Sequence, residues 1–211
     1  MKMINRRSIL LAGAAVAGLG LAPALAEAPA KPVVLAELLT PPALGDMALG
    51  ADEGATKVTI VEYASATCPH CAAFHKDVWP KLKADYIDTK KIRFIFREFP
   101  LNDPALAAFM IARAAPKESY FPLIDVFFDT LQTWAQDPAT GLLNIAKQAG
   151  FTQEKFDATL RDEKLAKGIM EIRDGGVKFG VQGTPTFYVN DKQLDGEVTY
   201  DTLKAEIDKL L

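Results

Sequence analysis

Cysteine is scarce in this chain. Among 211 residues there are two, Cys68 and Cys71, and two histidines, His70 and His75. An exported protein that relies on disulfides spreads its cysteines to staple distant segments. Here both sit in one short motif, which excludes a long-range disulfide within the monomer. A closed structural zinc site needs four ligands, and only the two histidines join the cysteines as candidates. A three-ligand site of Cys68, Cys71 and His75 stays open as a metal-handling alternative. Haem attachment requires His directly after the second cysteine, and Ala72 stands there. Beyond the N-terminus there is no Lys/Arg run, and with a formal charge of −3 nothing asks for nucleic acid. The chain also lacks a Gly-rich phosphate loop, a His-Glu-x-x-His helix, a serine elbow, internal repeats and low-complexity tracts. The apolar fraction of 49% is ordinary and suits one globular domain with an insertion.

The N-terminus reads as a leader. Lys2, Arg6 and Arg7 precede an apolar, Ala/Gly-rich stretch at residues 9–21, and Ala24-Leu25-Ala26 is a small-residue cleavage site. Asn5-Arg6-Arg7-Ser8-Ile9-Leu10 is similar to a twin-arginine signal, which exports a folded chain. An ordinary secretory signal that carries two arginines is the alternative. Pro23 ends the apolar stretch short of the roughly 20 residues that a spanning helix needs. No cysteine follows the cleavage site, which excludes a lipoprotein. The reading is residues 1–26 as signal peptide and a periplasmic location. Residues 27–45 contain Pro29, Pro32, Pro41 and Pro42 and read as an arm or linker.

Downstream the pattern is mixed α/β. Val58-Thr59-Ile60-Val61-Glu62-Tyr63 has the β-branched and aromatic chemistry of a strand. A small-residue turn follows, and a helix starts near Cys68 with Pro69 at a first-turn position. Phe74, Val78 and Leu82 continue it at helical spacing, with Pro80 expected to kink it. Residues 92–99 alternate Ile92, Phe94 and Phe96 against Arg93 and Arg97, a second strand parallel to the first by way of the helix. From Pro104 to about Gly180 apolar stripes recur at helical spacing. They read as core packing, with a substrate groove lined by Phe127 or Phe128 as the alternative. Thr152 reads as an N-cap flanked by Phe151 and Phe156. Gly175-Gly176 is expected to break or hinge the last helix of this region, since each mid-helix Gly costs about 1 kcal/mol against Ala. Thr186-Phe187-Tyr188-Val189, a turn at Asn190-Asp191 and residues 192–194 make a hairpin. Leu203, Ile207, Leu210 and Leu211 mark a C-terminal amphipathic helix.

Cys68-Pro69-His70-Cys71 lies between a strand and a helix, the context in which C-x-x-C is a redox signal. The first thiol meets the free N–H groups and positive dipole end of the helix, which favour its thiolate. A stable thiolate leaves well, so the disulfide is readily reduced and therefore oxidising. Cys68 is expected to be exposed and Cys71, one turn inward, to resolve mixed disulfides. His70, between them, is a further candidate to stabilise the thiolate, against a reading as a solvated histidine. His75 reads as a surface or half-buried residue.

Cys68-Pro69-His70-Cys71, the strand before it, the helical insertion and Gly183-Thr184-Pro185-Thr186-Phe187 together resemble the DsbA-like family of thioredoxin-fold oxidoreductases over residues 46–211. The resemblance implies a thioredoxin-like α/β fold in three pieces: residues 46–103, a helical insertion at 104–175, and residues 176–211. It implies a cis Pro185 beside the redox pair, with Thr184 and Pro185 aligning an extended substrate. It places Glu62, six residues before Cys68, at the buried acid that relays a proton for the inner cysteine. An exposed strand position for Glu62 is the alternative, and Val61 and Tyr63 do not decide it. The implied activity is a monomeric dithiol oxidase without cofactor or metal. Its partners would be reduced, unfolded exported proteins and a membrane quinone-linked reoxidising protein. Thr184 departs from the Val of the best-known oxidases and matches the isomerases. An isomerase or reductase is therefore the alternative, although the 27–45 arm is too short for the isomerases' dimerisation domain.

Overall fold

The computed structural model describes residues 33–211, so the expected leader at 1–26 lies outside the described residues. One helical turn, Leu35–Leu38 (α1), precedes the first strand, Met47–Gly50 (β1). Thr59–Ala64 (β2) leads through Cys68 into Pro69–Asp77 (α2). The helix breaks at Val78 and restarts as Trp79–Leu82 (α3), with Pro80 in the new first turn. That break is the interruption expected from Pro80, whose ring would strike the carbonyl four residues back in a continuous helix. A π-helical turn at Lys83–Ile87 follows, then Arg93–Glu98 (β3).

The insertion comprises Asp103–Ala114 (α4), Tyr120–Asp129 (α5), Leu131–Trp134 (α6), Pro138–Gln148 (α7), Gln153–Leu160 (α8) and Glu163–Lys178 (α9). Side chains of Asn102, Asp137, Thr152 and Asp162 cap α4, α7, α8 and α9 by accepting first-turn N–H groups. The chain returns as the hairpin Thr186–Val189 (β4) and Lys192–Gln193 (β5), then Tyr200–Asp208 (α10).

The strands form one sheet in the order β1-β3-β2-β4-β5. β2 and β3 are parallel, and the other pairs are antiparallel. β2 is central and buried along its whole length, because both faces are covered. Alternation puts Ile60 and Ala64 in the larger core with α2, α5 and Phe94 and Phe96 of β3. It puts Val61 and Tyr63 in a smaller core with Leu38, Ile95, Phe99 and Tyr188.

That second face encloses an arginine and corrects two expectations. Arg97 alternates with the apolar residues of β3 and is buried. Its Nε donates to Asp46 at 2.9 Å and its Nη1 to the Tyr63 hydroxyl at 2.9 Å. The described part of the 27–45 segment is docked, not a free arm: Leu38 is fully buried, and the Thr40 carbonyl accepts from Arg97 at 3.3 Å. Leu44 lies where a Cβ on Gly168 would meet it at 2.6 Å. The expected break at Gly175-Gly176 is absent, and α9 runs through both glycines. A Cβ on Gly176 would stand 2.8 Å from the Tyr63 ring, so the small residue permits close contact between helix and sheet rather than a hinge. The boundary placed at 175/176 thus falls inside a continuous helix.

Candidate functional site

The site is assembled where β2 ends and α2 begins. Cys68 is the N-cap residue of α2, with extended backbone, and its sulfur accepts the Cys71 N–H at 3.4 Å. Pro69 follows in the first turn, where its missing N–H costs nothing. The opposite wall comes from the loop before β4. The Thr184-Pro185 peptide is cis, and the Thr184 carbonyl accepts the Cys68 thiol at 3.1 Å across 116 residues of sequence. Both cysteines are free thiols, so the geometry is that of the dithiol form.

Cys68 is less open than the sequence reading had it, at 5% exposed, while Cys71 is fully buried. Exposed Pro69 and His70 flank the sulfur, so access to it is narrow. Beside it opens a groove of about 910 Å³ whose walls include His70, Phe74, Val78, Pro185, Val198 and Tyr200. Phe127 and Phe128 line no part of it; both are buried in the core.

The two thiols are driven apart. The Cys71 side chain, donating to Sγ of Cys68, is the largest influence pulling the Cys68 pKa down to about 5, against the opposing effect of burial. The Thr184 hydroxyl and the backbone N–H groups of Cys71 and His70 pull the same way. The hydroxyl is buried without a hydrogen-bond partner and is free to turn toward the sulfur. His70 thus contributes through its backbone, and its side chain faces the groove. Cys71 is pushed well above the usual thiol range by burial first, then by Cys68 and by the charge of Glu62.

Glu62 is fully buried. It shares strand parity with Ile60 and Ala64, which places it beneath α2, a choice that Val61 and Tyr63 left open. Facing it is His75, which the sequence reading had placed at or near the surface and which the structure buries. His75 Nε2 lies 3.4 Å from Glu62 Oε2, and Nδ1 lies 3.6 Å from Asp125 Oδ1 on α5. The reason for the correction is helical geometry. His75 is four residues after Cys71 on α2, so it repeats the inward direction of the buried cysteine. Asp125 was not singled out from sequence, because only the packing of α5 on α2 brings it here. The ring nitrogens of His75 face these carboxylates rather than the sulfurs. Among the described residues, no group of three or more His, Cys, Asp and Glu is placed to hold a metal ion.

Comparison with known proteins follows the same lines. A family model described as Thioredoxin matches residues 43–209. Disulfide bond formation protein D of Bacillus subtilis is 30% identical over 177 residues, covering 79% of this chain and 78% of that protein. A Rickettsia bellii protein named a protein-disulfide oxidoreductase is 33% identical over 170 residues, but the match spans only 64% of its length. Among solved structures, alpha-DsbA1 of Wolbachia pipientis aligns with a TM-score of 0.73 at 31% identity, covering 82% of this chain and 94% of that one. Oxidised BdbD of Bacillus subtilis aligns with a TM-score of 0.69 at 27% identity, covering 80% and 95%. The family model and these relatives match most of the chain, which belongs to the DsbA-like thiol:disulfide oxidoreductases of the thioredoxin family.

Proposed function

We propose that this protein is an exported, periplasmic dithiol oxidase that introduces disulfides into reduced, unfolded exported proteins. The observation that carries the proposal is the opposite treatment of the two thiols. Cys68 is lowered to about 5 and Cys71 is raised well above the usual range. Stabilising the Cys68 thiolate stabilises the dithiol form, which makes the disulfide form a good oxidant.

In the proposed cycle a substrate thiolate attacks Sγ of Cys68 in the disulfide form. The S–S electron pair leaves on Cys71, and a mixed disulfide joins substrate to Cys68. A second substrate thiolate attacks the substrate sulfur, and Cys68 leaves as its stabilised thiolate. Pro69 begins the helix without competing for the N-cap sulfur. Thr184 and Pro185 hold the extended substrate beside Cys68, His70 borders the entry, and Glu62 exchanges a proton with Cys71. A membrane quinone-linked partner then reoxidises the monomer.

One feature favours a second reading as isomerase or reductase: the Thr184 hydroxyl, buried and unpartnered beside Cys68. It can donate to a carbonyl of a bound substrate and so prolong the mixed disulfide, where Val offers only a methyl. Equilibration of the full chain with a series of glutathione redox buffers separates the two. A midpoint on the oxidising side of the glutathione couple is expected. A midpoint well on its reducing side would overturn the oxidase reading in favour of the reductase or isomerase.

A further inference from the structure

The inner thiol has a proton problem that the two cysteines cannot solve. When Cys71 leaves the disulfide it is a thiolate in a fully buried position, and it must gain a proton there. Glu62 is its acidic neighbour, but Glu62 is itself fully buried and makes no hydrogen bond that would connect it to solvent. His75 is the next group outward. Its side chain is 2% exposed, yet it touches Asp125, whose side chain is 41% exposed.

The ring is held for this contact. Phe128 stacks on it with centroids 4.2 Å apart and an interplanar angle of 34°, and Trp79 lies on it at 5.2 Å and 35°. Edge-on contact with Phe96 closes the β3 side. So clamped, the imidazole directs Nε2 to Glu62 of β2 and Nδ1 to Asp125 of α5. The charged groups facing it are these two carboxylates, with Cys71 one turn back on its own helix. At 3.4 and 3.6 Å neither contact is a formed hydrogen bond. Both are within a small side-chain movement of one, as resting proton-transfer contacts often are. Imidazole is the side chain suited to the place, because it takes a proton at one nitrogen and releases it at the other.

We propose that His75 and Asp125 form a proton passage that connects buried Glu62, and through it Cys71, to solvent. The proposal rests on the thiol-exchange reading above. As the substrate–Cys68 bond forms and the Cys68–Cys71 bond breaks, the electron pair stays on Cys71. The Glu62 carboxylate takes Nε2–H from the imidazolium and passes that proton to the Cys71 thiolate. The ring is left neutral with its proton on Nδ1; tautomer exchange moves that proton to Nε2, and Nδ1 takes a new one from water by way of Asp125. Run backward, the passage removes the Cys71 proton when Cys71 attacks a mixed disulfide. His75 acts through Glu62 and is a positioning and relaying residue, not one that touches the reacting sulfurs. Its protonated form prevails up to a pKa of about 9: burial pulls it down, but Glu62 and Asp125 outweigh that.

The test is single-turnover reduction of the disulfide-form full chain by dithiothreitol. The rate is divided by the concentration of attacking thiolate and followed from pH 6 to 10 in water and in deuterium oxide. The unsubstituted chain should show a fall above a pH of about 9. Asp125→Asn, at a half-exposed position, should stay folded, react several-fold more slowly and show a larger solvent isotope effect, and Asp125→Glu should restore both. His75→Gln should be on the order of tenfold slower, with the break near pH 9 gone. Trp79, stacked on His75, should report the same titration by fluorescence, and His75→Gln should abolish it. Unchanged rates, isotope effect and pH break in both variants overturn the proposal. A slow His75→Gln beside an unaltered Asp125→Asn overturns it too, because an unpaired buried Glu62 explains that result by itself. Failure of the unsubstituted chain to exchange its disulfide counts against the thiol-exchange reading and is scored before any variant.

Discussion

Replacing Cys71 tests how the Cys68 thiolate is held. The Cys71 side chain is the largest single influence lowering Cys68 to about 5, and it acts by donating S–H to the Cys68 sulfur. Cys71→Ala deletes that donor but keeps the N–H of residue 71, which reaches the same sulfur at 3.4 Å. Cys71→Ser keeps a hydroxyl donor at the same place. A hydrogen bond to a charged group contributes about 1.5–3 kcal/mol, or roughly 1–2 pKa units. The Cys68 pKa in Cys71→Ala should therefore rise from about 5 to roughly 6–7, while Cys71→Ser should stay near the starting value. At pH 6 a pKa of 5 leaves about nine-tenths of Cys68 as thiolate, whereas a pKa of 7 leaves about one-tenth. Alkylation by iodoacetamide at that pH should slow by up to about tenfold in Cys71→Ala only. Thiolate absorbance near 240 nm, followed over pH, measures the same quantity directly. His70→Ser is the control: its backbone donor survives, so it should shift the titration less than Cys71→Ala does. Equal pKa values in Cys71→Ala and Cys71→Ser would refute the side-chain account and assign the thiolate's stability to the helix start alone. The redox consequence is bounded by the same numbers. With an unfolded thiol near 8.5, stabilisation of the dithiol form at pH 7 is at most about 2–3 kcal/mol. Screening at the groove mouth reduces this to on the order of 1–2 kcal/mol, or roughly 20–45 mV of added oxidising potential.

His75 should make stability fall with alkaline pH. Its folded pKa of about 9 lies above the unfolded value near 6.5, so its contribution is complete below about 6.5 and is lost as pH rises through 9. Urea unfolding of the disulfide form, which removes both thiol titrations, should lose on the order of 2–3 kcal/mol over that window, and His75→Gln should flatten it. Asp46→Ala strands the buried Arg97 guanidinium and should cost about 3–5 kcal/mol in chemical unfolding; a loss under 1 kcal/mol would mean that water replaces the carboxylate. Gly176→Ala puts a Cβ 2.8 Å from the Tyr63 ring and should lower stability by about 1–3 kcal/mol, despite the better helix propensity of Ala. A more stable variant would restore the hinge reading of Gly175-Gly176.

Local pattern carried far in this chain. Strand chemistry in β2, the Pro69 helix start, alternation in β3, the Thr152 cap and the β4–β5 hairpin are each written in a handful of neighbouring residues. Each depends on backbone preference and on side chains a few positions apart, so each is legible without a fold. The redox motif belongs with them, because the field at a helix start acts within one turn. β1 escaped notice: Met47-Ala48-Leu49-Gly50 is too short to show a period, and it becomes a strand by pairing with β3.

The buried polar residues show where local pattern stops. Alternation separates the two faces of a strand but names neither as the inner one, and in β2 both are inner. Glu62 and Tyr63 are equally enclosed, and only the layer above each differs. A charged residue is tolerated in such a place only beside partners, and partners come from elsewhere in the chain. Arg97 meets Asp46 across 51 residues, Cys68 meets the Thr184 carbonyl across 116, and Asp125 reaches His75 from a different helix. By itself the sequence determined the element order from β2 onward, the redox pair and the polarity of its helix, because those rest on short-range geometry. Tertiary structure alone decided that Glu62 is enclosed beneath the redox helix, which histidine leads away from it and how narrowly the outer sulfur opens. Those are set by which surfaces pack together, and burial raises the cost of every unpaired charge there.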